Sequence, residues 1–317
     1  NVLPYQAPNV RLVPVPPSGG AGLHDKVGVL AQLPRYLRTI HRELNRTDAV
    51  HVRCPANLSL LAIVMLTIRR SPEKRWIKYA GNWAAYKKEA WSYASQRWVL
   101  RKGITRAQVT VNGRWSDQPA HIHSFLNPCL TQEELQEGRE ASAHKTLTQP
   151  VRLLYVGRLE RAKGVERSIQ VLEMLRRQGV SATLDLVGDG PERLGIESAV
   201  STELRDSIVF HGWKPRTELV SFYRNAHFFI MPTVCSEGWP KVLSEAMAYG
   251  IVPLASDISS IPHYLKEFGV GRVFHPEDAA GFADLFVLDF RTQQLQRLTE
   301  DRYRDEIPVT LVDMNED

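Results

Sequence analysis

Two apolar periods alternate along the chain. Val29, Leu33, Leu37 and Ile40 return every three or four positions, which predicts a helix over Lys26–Leu44. Short apolar runs at Ala49–Val52, Trp76–Tyr79 and Gln108–Val111 predict strands, with a helix over Leu58–Ile68 after the first. Asn9–Val15 predicts one more short strand, closed by the Pro16-Pro17-Ser18-Gly19-Gly20 turn cluster. The polar stretch Thr131–Pro150 loses apolar period and marks a domain boundary near residue 150. Beyond it the rhythm resumes: strands at Val151–Val156, Ala182–Val187, Ile208–Phe210, Ala226–Met231 and Val252–Ala255, and an amphipathic helix over Val165–Arg177 ended by Gly179. Strand, loop and helix in this order predict an α/β chain of two Rossmann-like doubly wound domains, residues 1–150 and 151–290. Residues 291–317 stay unassigned, with Arg291–Asp305 charged and expected helical. No internal repeat and no low-complexity tract is present.

Composition narrows the class. A length of 317 residues suits about two domains, and 43% apolar with 24% charged residues excludes a disordered or collagenous chain. The net charge of +5 reads as a mild basic excess not gathered into one block, equally compatible with an anionic substrate, an acidic membrane surface or nucleic acid. Cys54, Cys129 and Cys235 are far apart and odd in number, so a reducing, cytoplasmic setting is expected. The most apolar run, Leu58–Ile68, has 11 residues against the ~20 needed to cross a bilayer, and is expected to be a buried helix. No signal peptide precedes it, and the first residue is Asn1 rather than Met, so the first domain is expected to be truncated.

In open α/β sheets ligands bind beyond the carboxyl ends of the strands, so the loops there come first. Gly157-Arg158-Leu159-Glu160-Arg161-Ala162-Lys163-Gly164 follows a strand and carries cations five positions apart, a planar fork in Arg158 and a point charge in Lys163. Gly188-Asp189-Gly190-Pro191 follows the next strand and reads as a tight turn; His211-Gly212-Trp213 follows the third, with His211 expected to be structural. Ser236-Glu237-Gly238-Trp239-Pro240-Lys241-Val242 then opens a helix that carries Glu245. The free N–H groups of Lys241 and Val242 at that helix start suit an anion, while Glu237 and Glu245 suit hydroxyl donors such as those of a sugar or ribose. No Asp-x-Asp motif occurs, and His121-x-His123 lacks a third ligand nearby, so no metal is expected.

The Gly-Arg-Leu…Lys-Gly loop, the Gly-Asp-Gly-Pro turn, the Phe210-x-Gly212 strand end and a Glu-x7-Glu block followed by Ala246-Met247-Ala248-x-Gly250 together resemble the group 1 (family four) retaining glycosyltransferases, over about residues 150–285. The resemblance implies a GT-B fold with the two domains facing across a cleft. It implies that Arg158 and Lys163 grip a donor diphosphate and that Glu245 bonds ribose hydroxyls. Glu237 would contact the donor sugar near the reacting carbon, Lys241 and Val242 would offer main-chain amides, Gly238 would line the site and Trp213 would approach the base. In the first domain, Asp48–Val52 and Val109–Asn112 resemble the family's acceptor side less specifically. Ala80-Gly81-Asn82-Trp83 stands where many members carry His-Gly, leaving that role vacant or taken by Asn82, and the family's opening strand and Gly-rich loop have no counterpart here.

The reading that follows is a hexosyltransferase that needs no cofactor and no metal, moving a sugar with retention from a nucleotide-sugar donor to a saccharide or lipid-linked hydroxyl acceptor in polysaccharide or glycolipid synthesis. The alternatives are a nucleotide-sugar-binding module without turnover and a GT-B nucleotide-sugar epimerase, the second disfavoured by the Glu-x7-Glu block. A peripheral membrane contact at the inner face, through Lys87, Lys88 and Arg97–Arg106 with Trp91, Tyr93 and Trp98, competes with a solvated helix whose aromatics are core. No aromatic–basic interleaving suggests nucleic acid as a partner.

Overall fold

The structure is a computed structural model that describes residues 9–17, 23–86, 89–126, 129–283, 286–289 and 294–297. It divides into two compact units, each with its own sheet. The first holds α1 (Leu23–Leu44), β1 (Ala49–Cys54), α2 (Asn57–Ile68), β2 (Lys74–Tyr79), α3 (Trp91–Arg101) and β3 (Gln108–Val111), with β4 (Ile122–Ser124) completing a sheet in the order β1-β2-β3-β4. β1, β2 and β3 pair in parallel. α2 connects β1 to β2 and α3 connects β2 to β3, and α2 packs against both α3 and α1. β1 alternates exposed and buried residues rather than being wholly apolar-packed; only Val52 and Cys54 are buried. Among the described residues Asn9–Val15 is not a strand. Pro14 and Pro16 remove ladder donors, Leu12 is exposed, and the segment is held instead by an Arg11–Glu43 ion pair and by Tyr36 donating to the Pro17 carbonyl at 2.9 Å.

The second unit begins at Ser124 and includes the short stretches Asn82–Ala84 and Asn112–Trp115. After α4 (Gln132–Ala143) come β5 (Val151–Val156), α5 (Val165–Arg177), β6 (Ala182–Val187), α6 (Arg193–Ala199), β7 (Ile208–Gly212), α7 (Arg216–Asn225), β8 (Phe228–Met231), α8 (Lys241–Ala248), β9 (Val252–Ser256), α9 (Ile261–Phe268), β10 (Arg272–Phe274) and α10 (Ala279–Ala283). The six strands lie in the order β7-β6-β5-β8-β9-β10, all parallel, so the strand order reverses between β5 and β8. β5 shows why the sheet is covered on both sides: Leu153 and Tyr155 pack with α5 and α6, while Leu154 packs with α7, α8 and α9.

The units separate at Ser124, not near residue 150, because α4 belongs to the second. It starts at a capping box in which Thr131 Oγ1 accepts the Glu134 N–H and the Glu134 carboxylate accepts the Thr131 N–H. It then packs on α8 and α7, with Gly138 against the Ala248 backbone and ion pairs Glu134–Arg216 at 2.7 Å and Glu137–Arg224 at 2.6 Å. Residues 294–297 form a strand, β12, antiparallel to β11 (Phe286–Asp289), which corrects the helix expected over Arg291–Asp305; the rest of that segment lies outside the described residues. The division also corrects the charge reading. Residues 1–123 carry 19 Lys and Arg against 6 Asp and Glu, a net of +13, whereas residues 124–317 carry 21 against 29, a net of −8.

Candidate functional site

The site is built where the second sheet reverses its strand order, a position that leaves a crevice open beyond the strand ends. The loop after β5 and the loop after β8 leave adjacent strands and are stitched together there. Val234 N–H donates to the Ala162 carbonyl at 2.9 Å, and Arg167 Nε donates to the Pro232 carbonyl at 2.6 Å. Gly164 takes φ +93° against the Pro232 carbonyl, where any Cβ would collide. The Gly188–Gly190 turn presses on the same loop from the other side. Gly188, at φ +142°, lies against the Gly157 carbonyl, and Leu159 N–H donates to the Asp189 carbonyl at 3.1 Å. The turn is thus a backbone-on-backbone wall that positions Arg158 and Lys163.

Lys163 Nζ forms an ion pair with Glu237 Oε1, so the cation of one loop and the carboxylate of the other meet at the reversal point. Arg158 lies on the same loop, 67% exposed, with its guanidinium 2.5 Å from Glu160 and its carbonyl accepting from Tyr155 Oη at 2.8 Å. Gly238 is buried, and its carbonyl accepts from Ser260 Oγ at 2.6 Å, which ties the β8 loop to the β9 loop. Pro240 precedes α8 and supplies no side-chain cap, so the Lys241 and Val242 N–H groups stand at an uncapped helix start. Lys241 is exposed and Val242 half-buried.

Glu245 is buried deeper in α8. Its Oε2 accepts from Tyr223 Oη at 2.8 Å, and its Oε1 lies 4.0 Å from Arg216 Nη1. Burial, and then the Glu245 carboxylate, hold the Tyr223 phenol far above its usual pKa, so it stays a donor. Tyr223 and Arg216 escaped the sequence reading because they come from α7, far along the chain from Glu245; no local spacing marks them. Trp213 projects after β7 with 71% of its surface exposed. Asn82 is buried and its Oδ1 accepts the Ala84 N–H at 3.0 Å, closing the turn of its own loop.

His211 Nε2 lies 2.6 Å from Asp185 Oδ1 and its ring packs edge-on to Phe222. His121 contacts the Leu100 carbonyl at 2.8 Å and His123 the Gln108 amide oxygen at 2.7 Å. Among the described residues no group of three His, Cys, Asp or Glu side chains is placed to hold a metal.

Comparison with known proteins places this architecture. Residues 138–291 match the family model of the glycosyl transferases group 1. The chain is 29% identical over 147 residues to the amylovoran biosynthesis glycosyltransferase AmsK of Erwinia amylovora, covering 44% of this chain and 36% of that protein. It is 29% identical over 168 residues to the lipopolysaccharide 1,6-galactosyltransferase of Escherichia coli (strain K12), covering 52% of this chain and 45% of that one. The chain thus spans less than half the length of these relatives. The fold is shared with the sucrose-phosphate synthase of Thermosynechococcus elongatus at TM-score 0.58 and 22% identity, over 81% of this chain and 68% of that one. With two parallel-sheet units in one chain of GT-B fold, the chain resembles the glycosyl transferases group 1 over residues 138–291.

Proposed function

We propose that the protein transfers a hexose from a nucleotide-sugar donor to a saccharide or lipid-linked hydroxyl in polysaccharide or lipopolysaccharide assembly, with retention of configuration and without a metal. The observation that carries this reading is the meeting of Lys163, Glu237 and the uncapped start of α8 at the β5/β8 reversal. A diphosphate bound there exchanges the Glu237 carboxylate for its own oxygens as the partner of Lys163, while Arg158 and the Lys241 and Val242 N–H groups take the remaining charge. Positive groups fixed before the reaction stabilise the leaving diphosphate as the bond between the sugar's anomeric carbon and the phosphate oxygen breaks. The acceptor oxygen bonds to the same face of that carbon, and its proton passes to the departing phosphate oxygen. Glu237, released from Lys163, is free to accept from sugar hydroxyls. Glu245, held by Tyr223, keeps an oxygen for ribose hydroxyls, and Trp213 offers a flat surface to the base.

Release of nucleoside diphosphate from a panel of UDP-, GDP- and ADP-sugars, with and without a saccharide acceptor, tests the reading. The expected result is acceptor-dependent release from one nucleotide series that persists in excess EDTA, with an α-linked product from an α-linked donor. Nucleotide binding without release would mean a binding module, an acceptor-independent change of sugar configuration would mean an epimerase, and loss of activity in EDTA would overturn metal independence.

A further inference from the structure

We propose that the end of the first unit formed by the C-termini of α2 and α3 docks on an anionic lipid surface. The proposal is independent of the transfer chemistry. Its starting point is the net +13 of residues 1–123 beside the net −8 of the remainder, a separation that gives the first unit a cationic field of its own.

A built platform carries that charge. Arg75 is buried in β2, and its guanidinium donates to the carbonyls of Leu66 and Thr105 at 2.8 Å and of Arg69 at 2.8 Å, with Nε donating to Pro72 at 2.6 Å. One side chain therefore clamps the end of α2 to the loop after α3. Ile68 and Arg70 flank the first set of carbonyls, Ile104 and Arg106 flank Thr105, and Trp98 and Lys102 lie on the last turn of α3 and just past it. Ile68 is 81% exposed, Trp98 57% and Ile104 44%, and Arg70, Lys102 and Arg106 are exposed around them. The loop is ordered: the Arg106 N–H donates to the Gly103 carbonyl at 3.0 Å, and Arg106 itself takes φ +53°, a left-handed conformation unfavourable for arginine. Burial together with the charges of Arg106 and Arg69 lowers the pKa of Arg75, a sign of how closely the cations gather.

Apolar tips inside a ring of cations match a bilayer interface, where headgroup phosphates meet the cations and the acyl boundary takes the side chains. A nucleic-acid backbone offers no place for Ile68 and Ile104, so lipid is favoured over it. The surface keeps Trp98, Lys102 and Arg106 from the region expected in sequence, adds the end of α2 and leaves out Arg97. Arg97 is buried in an ion pair with Glu89, its Nη2 at 2.6 Å from the carboxylate, and Lys87 and Lys88 lie outside the described residues.

The test is co-sedimentation of the full chain with vesicles of phosphatidylcholine alone and of equimolar phosphatidylcholine and phosphatidylglycerol. Binding is expected only to the second, falling with salt. Arg70→Glu with Lys102→Glu, and separately Trp98→Ser with Ile104→Ser, should each weaken it by at least about 10-fold. Both double variants should keep the parent's melting temperature and nucleotide-induced melting shift, which separates this claim from the donor-site reading. No sedimentation with anionic vesicles, undiminished binding in both variants, or retention of duplex DNA or RNA in place of vesicles would each overturn the proposal.

Discussion

Glu245 illustrates how a single side chain depends on partners that the local sequence does not reveal. Its carboxylate is buried and satisfied by Tyr223 Oη, so Tyr223→Phe removes one donor from a charged, buried acceptor. The expected cost is about 1–3 kcal/mol of stability, with a rise in the donor KM larger than any fall in kcat, read from steady-state kinetics. Glu237 predicts the opposite behaviour. With Glu237→Gln the competing carboxylate beside Lys163 is gone, so calorimetric affinity for the free nucleoside diphosphate should rise by a few fold while turnover falls; weaker diphosphate binding would contradict the exchange described for Lys163. His227 sets a pH dependence. Its Nδ1 accepts the Arg152 N–H at 3.0 Å, and burial, then the charges of Lys145 and Arg152, lower its pKa to about 4 from 6.5. Between those values the unfolded chain binds a proton that the folded chain does not, so stability present at pH 7 is lost as pH falls through 6.5 toward 4. Unfolding free energies from urea titrations at pH 7 and pH 5 should differ by roughly 1–2 kcal/mol more in the parent than in His227→Gln.

Glycines carry the element-level argument, because three positions with the same residue predict three outcomes. Gly188→Ala forces a Cβ into the Gly157 carbonyl at φ +142° and should cost well over about 3 kcal/mol, or prevent folding. Gly179→Ala keeps open space but strains φ +82°, at a cost of about 1 kcal/mol. Gly195→Ala lies within α6 in open space and should stabilise by up to about 1 kcal/mol. Chemical denaturation of the three checks the order. Strands β5, β6, β8 and β9 were readable in the sequence because burial on both faces leaves continuous apolar runs such as Phe228–Met231. α4 was not, since only Gly138 of it is buried and its other residues read as a polar linker; the Thr131…Glu134 capping box was the available signal. The buried helix expected over Leu58–Ile68 forms but leaves Val64 and Ile68 exposed. Loop positions of the site residues followed from motif order, whereas the Lys163–Glu237 contact needed the β5–β8 adjacency that no local pattern encodes.

The whole molecule joins a strongly basic unit to an acidic one that holds the residues matching the family model, and no helix among the described residues is long and apolar enough to cross a membrane. The proposed lipid surface and the proposed donor site lie in different sequence regions, so each is expected to be lost without the other. Vesicle binding should therefore survive Lys163→Ala, and nucleotide binding should survive Arg70→Glu with Lys102→Glu. A nucleoside diphosphate is expected to bind at the β5/β8 reversal through Lys163. Isothermal titration of the parent and of Lys163→Ala with UDP, GDP and ADP in EDTA tests this. The parent should bind one nucleotide, and the variant should bind it with at least about a 10-fold weaker Kd, about 1.4 kcal/mol. Equal affinity in the two proteins would contradict it.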